Sequence, residues 1–270
     1  MRSVLITGAA GFVGSHVTGV FREDGNWDVT ELDFGINFPK EPVDVVVSLA
    51  ASADPRAALE DPEFAYVNSV RIMVRTLEYA KRTGARVLQL SSNEAQSPNG
   101  PYGGSKACQE VICSAYSDVQ TSIVVTQSLF GERQQRDKLV PTVIRALLSD
   151  QPVRLQGHQN SGEPQWAQRP FMYVRDLAFA LLSLAYAPEP PEVIRVGATE
   201  NTSVLDVART LAATLERSAN IELVEAGDRP GHELAATPIG WSMKEWSPLY
   251  KTGPALETVA RWYSLNRNWL

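Results

Sequence analysis

Short runs of consecutive apolar residues alternate in the first half of the chain with longer segments in which apolar positions recur at helical spacing. The apolar runs predict buried strands at residues 3–7, 27–32, 43–49, 86–90 and 123–129. The helical spacing predicts helices that end near Asp24, that span residues 62–82, and that follow residue 101. This alternation, up to residue 130, is typical of the Rossmann-type doubly wound parallel sheet of α/β proteins.

Beyond residue 130 the predicted elements become shorter and the polar segments longer. We expect helices at 140–148, 175–186, 203–217 and 255–263, short strands at 152–155, 169–174 and 193–196, and a polar loop at 157–168. We therefore predict one domain at residues 1–130, built on this sheet, and a smaller α/β region at residues 131–270, which returns some strands and helices to the first core.

Composition limits the classes of function. The chain has 270 residues, of which 44% are hydrophobic, and a net charge of -6, which argues against a nucleic-acid-binding protein. The amino terminus passes from a short apolar run into glycines without the features of a signal peptide, and no apolar run approaches the roughly 20 residues that span a bilayer. We expect a cytoplasmic protein with two reduced cysteines, Cys108 and Cys113, no metal site and no membrane partner.

A glycine-rich turn follows the first predicted strand and opens a helix. Gly8, Gly11 and Gly14 allow a tight turn, and they let a pyrophosphate approach the backbone N–H groups at the positive end of the helix. The second strand ends at Asp33, nineteen residues beyond Gly14. A carboxylate there accepts hydrogen bonds from a ribose 2′-hydroxyl and repels a 2′-phosphate, so the pattern favours NAD over NADP.

Tyr102 and Lys106 are four residues apart on a predicted helix, so they share one face of it. An ammonium group beneath the phenol would favour the ionised form of the phenol, which makes Tyr102 a candidate base. Ser92 and Glu94 stand at the carboxyl end of the strand at residues 86–90, the end where ligands bind in open parallel sheets.

Seven motifs span nearly the whole chain in a characteristic order. They are TGAAGFVG at 7–14, SLAA at 48–51, YVN at 66–68, LSS at 90–92, YGGSK at 102–106, RPFMYVRD at 169–176 and RPGHE at 229–233. Together they resemble those of the extended short-chain dehydrogenase/reductases. More narrowly, they resemble those of the NAD-dependent nucleotide-sugar epimerase/dehydratase family.

The resemblance implies an enzyme whose cofactor is NAD and whose substrate is a nucleotide-linked sugar. Tyr102 would take the proton of a sugar hydroxyl while the carbon gives hydride to NAD+, Ser92 would bond the same oxygen, and Lys106 would help to ionise the phenol. The resemblance assigns residues 131–270 mainly to substrate binding. It also implies a homodimer, formed through the helices at 62–82 and 102–117.

The residues with implied binding roles form two groups. The NAD-binding residues would be Gly8, Gly11, Phe12, Val13, Gly14, Asp33, Phe34, Leu49, Ala50, Ala51, Asn68, Tyr102 and Lys106. The substrate-binding residues would be Asn93, Ser128, Arg169 and Arg229. The two arginines match family arginines that bind the substrate pyrophosphate through paired donors.

The fate of the ketone depends on Asn93 and Glu94. Glu94 stands where the family's dehydratases keep a carboxylate that removes the C5 proton and drives loss of the C6 hydroxyl. Residues 228–233 also resemble the DRPGHD of sugar-nucleotide 4,6-dehydratases. Asn93, however, replaces an aspartate found in many of them, and an amide cannot donate a proton as an acid does. The residues favour dehydration, but 4-epimerisation, which needs no Glu94, stays open.

Several departures mark the chain as a trimmed member of this family. A helix and a strand that cover the adenine are missing between Asp33 and Val43, and only nine residues separate Ser92 from Tyr102. Within those nine, Gln96 replaces a tyrosine, and further along the chain a serine at position 128 replaces an asparagine. The substrate therefore need not be an ordinary hexose nucleotide. A simple NAD(P)-dependent ketoreductase or dehydrogenase, and a non-catalytic NAD-binding regulatory protein, remain alternatives.

Overall fold

A computed structural model describes residues 1–33, 38–51, 54–225, 237–243 and 246–270 of the chain. These residues group into two compact units, which are described one at a time. The first unit comprises residues 1–126, 177–196 and 241–246, and the second comprises residues 127–176, 197–240 and 247–270.

The helices and strands alternate through the first unit and are more mixed in the second. The strands are β1 Arg2–Thr7, β2 Trp27–Leu32, β3 Val45–Ser48, β4 Arg86–Ser92, β5 Thr121–Thr126, β6 Leu129–Phe130, β7 Val153–His158, β8 Gln165–Trp166, β9 Gln168–Arg169, β10 Met172–Tyr173, β11 Val193–Arg195, β12 Thr202–Ser203 and β13 Ile221–Glu225. The helices are α1 Phe12–Asp24, α2 Pro55–Glu60, α3 Pro62–Thr83, α4 Pro101–Ala115, α5 Leu139–Leu148, α6 Val174–Tyr186, α7 Val204–Thr214 and α8 Thr252–Leu265. Two 3-10 turns lie at Asn93–Ala95 and Arg267–Trp269.

The first unit is built on a six-stranded parallel sheet with the strand order β11-β5-β4-β3-β1-β2. The apolar runs of the sequence form its central strands, where Leu5, Val46 and Leu88 are completely buried. Helices between parallel strands cover both faces of such a sheet, which explains why these runs carry no polar alternation. The predicted α/β fold class is confirmed.

Helix α3 begins and ends where its sequence signals predict. The side chain of Asp61 caps it by accepting the N–H of Phe64 at 3.0 Å, and Gly84 ends it in the left-handed conformation with φ 76°. Phe64 and Val67, two apolar residues of this helix, are 55% and 59% exposed. The smaller residues Ala65 and Ser69 are buried on this helix instead.

The described part of the connection between β2 and β3 contains no helix and runs along α3. The ring of Phe38 lies 5.2 Å from the ring of Tyr79, and the hydroxyl of Tyr79 donates to the carbonyl of Glu41 at 2.7 Å. Arg82 donates to the carbonyls of Pro39 and Lys40. This segment, residues 38–42, is called the strap below. It covers part of the core in place of a helix, and β2 is left as the last strand of the sheet.

The described residues of the second unit form three small sheets, in the orders β13-β7-β8, β10-β6 and β12-β9. The predicted polar loop at 157–168 is wrong, because β7 continues to His158 and pairs antiparallel with β8. Polarity alone does not separate an exposed hairpin from a loop, and the pairing with β8 becomes visible only in three dimensions. Throughout the described ranges, no helix has both the length and the apolar character needed to cross a bilayer.

Candidate active site

The glycine-rich turn between β1 and α1 leaves no room for side chains at two of its glycines. Gly8 has φ 70°, and a Cβ on it would lie 3.0 Å from the backbone N of Ala50. A Cβ on Gly14 would lie 2.0 Å from the carbonyl oxygen of Gly8. Close backbone packing therefore explains both glycines, independently of any ligand.

The same turn presents groups that suit a dinucleotide. Gly11 is the N-cap residue of α1 and has no side chain that could accept the N–H groups of the first helical turn. The Asp33 carboxylate follows β2 and accepts the N–H of Ala10 at 2.9 Å. Backbone donors at a positive helix end, beside a carboxylate, fit the pyrophosphate and the ribose of NAD.

The other predicted NAD-binding residues of the first unit lie near the carboxyl ends of the strands or on adjoining helices. Phe12 and Val13 are half-buried in the first turn of α1, and Asn68 is half-buried on α3. Leu49, Ala50 and Ala51 follow β3, where Thr7 Oγ1 accepts the N–H groups of Leu49 and Ala50 at 3.1 and 3.2 Å. Phe34 lies outside the described residues.

Ser92 and Tyr102 meet at the carboxyl end of β4. Ser92 is the last residue of that strand, and its Oγ accepts the N–H of Glu94 at 3.3 Å. Burial raises the pKa of Tyr102 to about 12, a hydrogen bond from Ser92 lowers it, and the nearby carboxylate of Glu94 raises it. The structure therefore brings together three of the four predicted catalytic groups.

Gly103 allows this close approach. A Cβ on Gly103 would lie 2.6 Å from the carbonyl oxygen of Glu94, so α4 begins directly against the turn at 93–95. Glu94 itself is exposed, whereas Asn93 is half-buried. The Glu94 carboxylate is thus open to solvent and close enough to act electrostatically on Tyr102.

Lys106, the fourth predicted catalytic group, is only 4% exposed, and its Nζ donates to the carbonyl of Leu90 at 3.2 Å. Burial lowers the pKa of Lys106 to about 8, and the charge of Glu110 opposes that shift. Among the described residues, the shift in the pKa of Tyr102 comes from burial, Ser92 and Glu94. The expected effect of Lys106 on the phenol therefore stays a prediction.

Glu110 is a member of this cluster that the sequence did not reveal. It accepts hydrogen bonds from the hydroxyl of Ser91 and from Nε2 of Gln96, the latter at 3.2 and 3.3 Å to its two oxygens. Its position four residues after Lys106 was a possible signal, because residues at that spacing are neighbours on a helix.

The predicted substrate-binding residues of the second unit differ in how they are held. Ser128 has φ 47°, in the left-handed region, and its carbonyl accepts the N–H of Met172 at 3.1 Å. Arg169 is half-buried at the end of β9 and donates through Nη1 to the carbonyl of Gln168 at 2.8 Å. Arg229, with the rest of the motif at 229–233, lies outside the described residues.

Neither cysteine is in a disulfide: Cys108 and Cys113 are free, and Cys113 is buried in the core of the first unit. In the part of the chain that the structure describes, no group of three or more His, Cys, Asp or Glu side chains is arranged to hold a metal ion.

Comparison with known proteins gives a consistent assignment. The model of the NAD dependent epimerase/dehydratase family matches residues 4–197. The dTDP-D-glucose 4,6-dehydratase of Mus musculus is 23% identical, over 99% of this chain and 90% of that protein.

Two solved structures resemble the chain over nearly its whole length. The dTDP-glucose 4,6-dehydratase of Bacillus anthracis in complex with NAD has a TM-score of 0.83 at 20% identity, and it covers 100% of this chain and 98% of its own. The UDP-glucuronic acid 4-epimerase of Bacillus cereus in complex with UDP-glucuronic acid and NAD also has a TM-score of 0.83, at 21% identity, with 98% and 100% covered. At these identities the likeness shows the fold.

Proposed function

Because the chain belongs to the NAD dependent epimerase/dehydratase family, whose model matches residues 4–197, we propose that it is an NAD-dependent enzyme that acts on a nucleotide-linked sugar. One observation carries the proposal. Ser92 and Tyr102 lie together at the carboxyl end of a central strand, where the Ser92 side chain lowers the pKa of the phenol and the charge of Glu94 raises it. A hydroxyl pair of this kind suits proton transfer from a sugar alcohol.

The residues of the glycine-rich turn would hold the cofactor. Gly8, Gly11 and Gly14 would admit the pyrophosphate, and Asp33 would accept the ribose hydroxyls. When bound, NAD supplies the hydride acceptor and a positive charge near the reacting carbon.

The chain's own groups would then divide the proton chemistry. The pKa of Tyr102, at about 12, keeps its hydroxyl protonated at neutral pH in the free chain. Tyr102 would therefore have to release this proton to bulk solvent when substrate and cofactor are bound, before it takes the proton of the sugar hydroxyl. Ser92 would donate a hydrogen bond to the same oxygen, and the buried ammonium of Lys106 would favour the phenolate.

We propose that the ketone formed in this way undergoes elimination of water. The Glu94 carboxylate is exposed and acts on Tyr102, so it lies beside the place where the oxidised carbon would be held. A carboxylate there could take the proton from the carbon next to the ketone and pass it to the hydroxyl on the following carbon, whose C–O bond breaks as water leaves. Ser128, Arg169 and Arg229 would bind the phosphates of the nucleotide.

A second candidate function is 4-epimerisation, and Asn93 favours it. The half-buried amide next to Glu94 cannot supply the acid that protonates a leaving hydroxyl. An epimerase needs no such acid, because the ketone only turns over before hydride returns.

Incubation with NAD and a panel of nucleotide sugars separates these reactions. Loss of water would be seen as a lower product mass, and epimerisation as a changed sugar NMR spectrum at constant mass. We expect Glu94→Gln to abolish water loss and to leave NAD binding unchanged. NADH that accumulates with a simple alcohol would identify a plain dehydrogenase, and failure to bind NAD would contradict the proposal.

We also propose that the chain forms a homodimer through α3 and α4. Phe64 and Val67 on α3 and Val111 on α4 are 55%, 59% and 67% exposed. Large apolar side chains on two neighbouring helices are typical of a surface that a second copy covers. A charge at Val67, as in Val67→Glu, should yield monomers in sedimentation experiments, and a wild-type chain that sediments as a monomer would contradict this proposal.

A further inference from the structure

Glu110 connects α4 to the segment that carries two of the catalytic groups. Its carboxylate accepts hydrogen bonds from Ser91, which precedes Ser92 on β4, and from Gln96, which ends the turn at 93–95. Ser91 is buried and Glu110 is half-buried, so the carboxylate is not simply a solvated surface group. These contacts give the short 93–101 segment a side-chain anchor at each end of the turn.

Glu110 is also the residue whose charge acts on the buried Lys106. Lys106 precedes it by one helical turn, is 4% exposed and donates to the carbonyl of Leu90. Burial disfavours the ammonium, and Glu110 is the charged group that favours it among the described residues. Of the other titratable groups nearby, Tyr102 carries no charge at neutral pH, and Glu94 acts on Tyr102.

We propose that Glu110 is a positioning residue, which keeps Lys106 in its charged form and fixes the turn at 93–95 through Ser91 and Gln96. The inference rests on the proposed function, because it assigns Lys106 and that turn to the catalytic site. It goes beyond that function because it assigns the charge of Lys106 and the conformation of the turn at 93–95 to one carboxylate. Gln96, which replaces a tyrosine of the family, is therefore the donor that couples the shortened segment to α4.

The charge of Lys106 can be measured without any turnover. The sequence contains six lysines, so their side-chain carbons can be followed by NMR across a pH titration of the full chain, with Lys106→Arg identifying one signal. We expect the Lys106 midpoint near 8 in the wild type. Glu110→Gln should lower that midpoint by about one pH unit, because the opposing charge is lost while the shape is kept.

Glu78→Gln is the matched control. Glu78 is exposed on α3 and accepts a hydrogen bond from Tyr116, so its replacement also removes one bonded carboxylate, but away from Lys106. The Lys106 midpoint should not move in this variant. An unchanged midpoint in folded Glu110→Gln would overturn the proposal. Should that variant not fold, Glu110→Asp decides: its retracted carboxylate should still lower the midpoint, and no change would overturn the proposal.

A second measurement follows catalysis. If turnover requires charged Lys106, the alkaline limit of the rate should move to lower pH in Glu110→Gln by the same amount as the NMR midpoint. A shifted midpoint with an unshifted alkaline limit would overturn the catalytic part of the proposal. A wild-type chain that acts on no nucleotide sugar, while Glu110→Gln still shifts the Lys106 midpoint, would contradict the proposed function and not the effect of Glu110 on Lys106.

Discussion

The glycine-rich turn follows β1 and the turn at 93–95 follows β4 of the same sheet, but different interactions fix their conformations. Backbone packing defines the first, since a Cβ on Gly14 would lie 2.0 Å from the carbonyl of Gly8. Side-chain hydrogen bonds to Glu110 define the second. A site made by steric exclusion tolerates few residue types, whereas a site made by polar side chains can exchange its donors and acceptors.

The largest expected effect is the loss of turnover on substitution of Tyr102. Tyr102→Phe removes the proton acceptor but keeps the ring, so we expect turnover to fall about 1,000-fold while NAD still binds. Steady-state rates and NAD titration would measure this. Tyr116→Phe is the control, because Tyr116 ends the same helix and its hydroxyl bonds exposed Glu78. Equal losses in both variants would contradict a catalytic role for Tyr102.

The glycine-rich turn should be destabilised by the addition of one methyl group. In Gly14→Ala the new Cβ meets backbone atoms of Gly8 and Ala9 that cannot move aside singly. We expect the free energy of unfolding to fall by about 3 kcal/mol and NAD binding to weaken. Denaturant unfolding and calorimetry would measure the two changes.

Gly19→Ala supplies the control on the same helix. No heavy atom lies within 4 Å of a Cβ at Gly19, so alanine there should stabilise the helix by about 0.5–1 kcal/mol. Equal free energies of unfolding for Gly14→Ala and Gly19→Ala would contradict the explanation of Gly14 by backbone packing.

The smallest expected effect concerns Ser128, where either the backbone conformation or the side chain could determine the residue type. Its φ of 47° suits asparagine better than serine. We expect Ser128→Asn to raise the free energy of unfolding by about 0.5 kcal/mol, measured by denaturant unfolding. Ser128→Ala, which lacks a local hydrogen-bonding side chain, should not stabilise the chain. A destabilised Ser128→Asn would mean that the site selects the serine side chain.

The sequence predicted the long elements of the fold well because their signals are local. Strand β2 covers the predicted residues 27–32, and α3 ends one residue beyond the predicted 82. It missed α2, at Pro55–Glu60, which is short and has too few turns to show a period. The sequence pattern also did not show that Phe64 and Val67 are exposed, because periodicity identifies an apolar stripe but not what covers the stripe.

For the site, the sequence predicted which residue types the chemistry needs but not how they are supported. The neighbourhood of Ser92, Tyr102 and Glu94 follows from the rule that parallel strands present their carboxyl ends together. The hydrogen bonds of Glu110 with Ser91 and Gln96 do not follow from its helical spacing to Lys106, since both residues reach it across the fold. Hydrogen bonds between distant polar residues depend on tertiary packing, so a single sequence carries little signal for them.

The strap has a consequence for how the chain behaves in concentrated solution. With no further strand beyond it in the described chain, β2 presents a row of unpaired backbone groups to which a strand of another molecule could add. Asp28 and Glu31 are exposed along this strand, and Glu31 pairs with Arg22 at 2.5 Å. Charges on an open edge repel a like strand, so we expect Asp28 and Glu31 to disfavour the addition of a second copy at this edge.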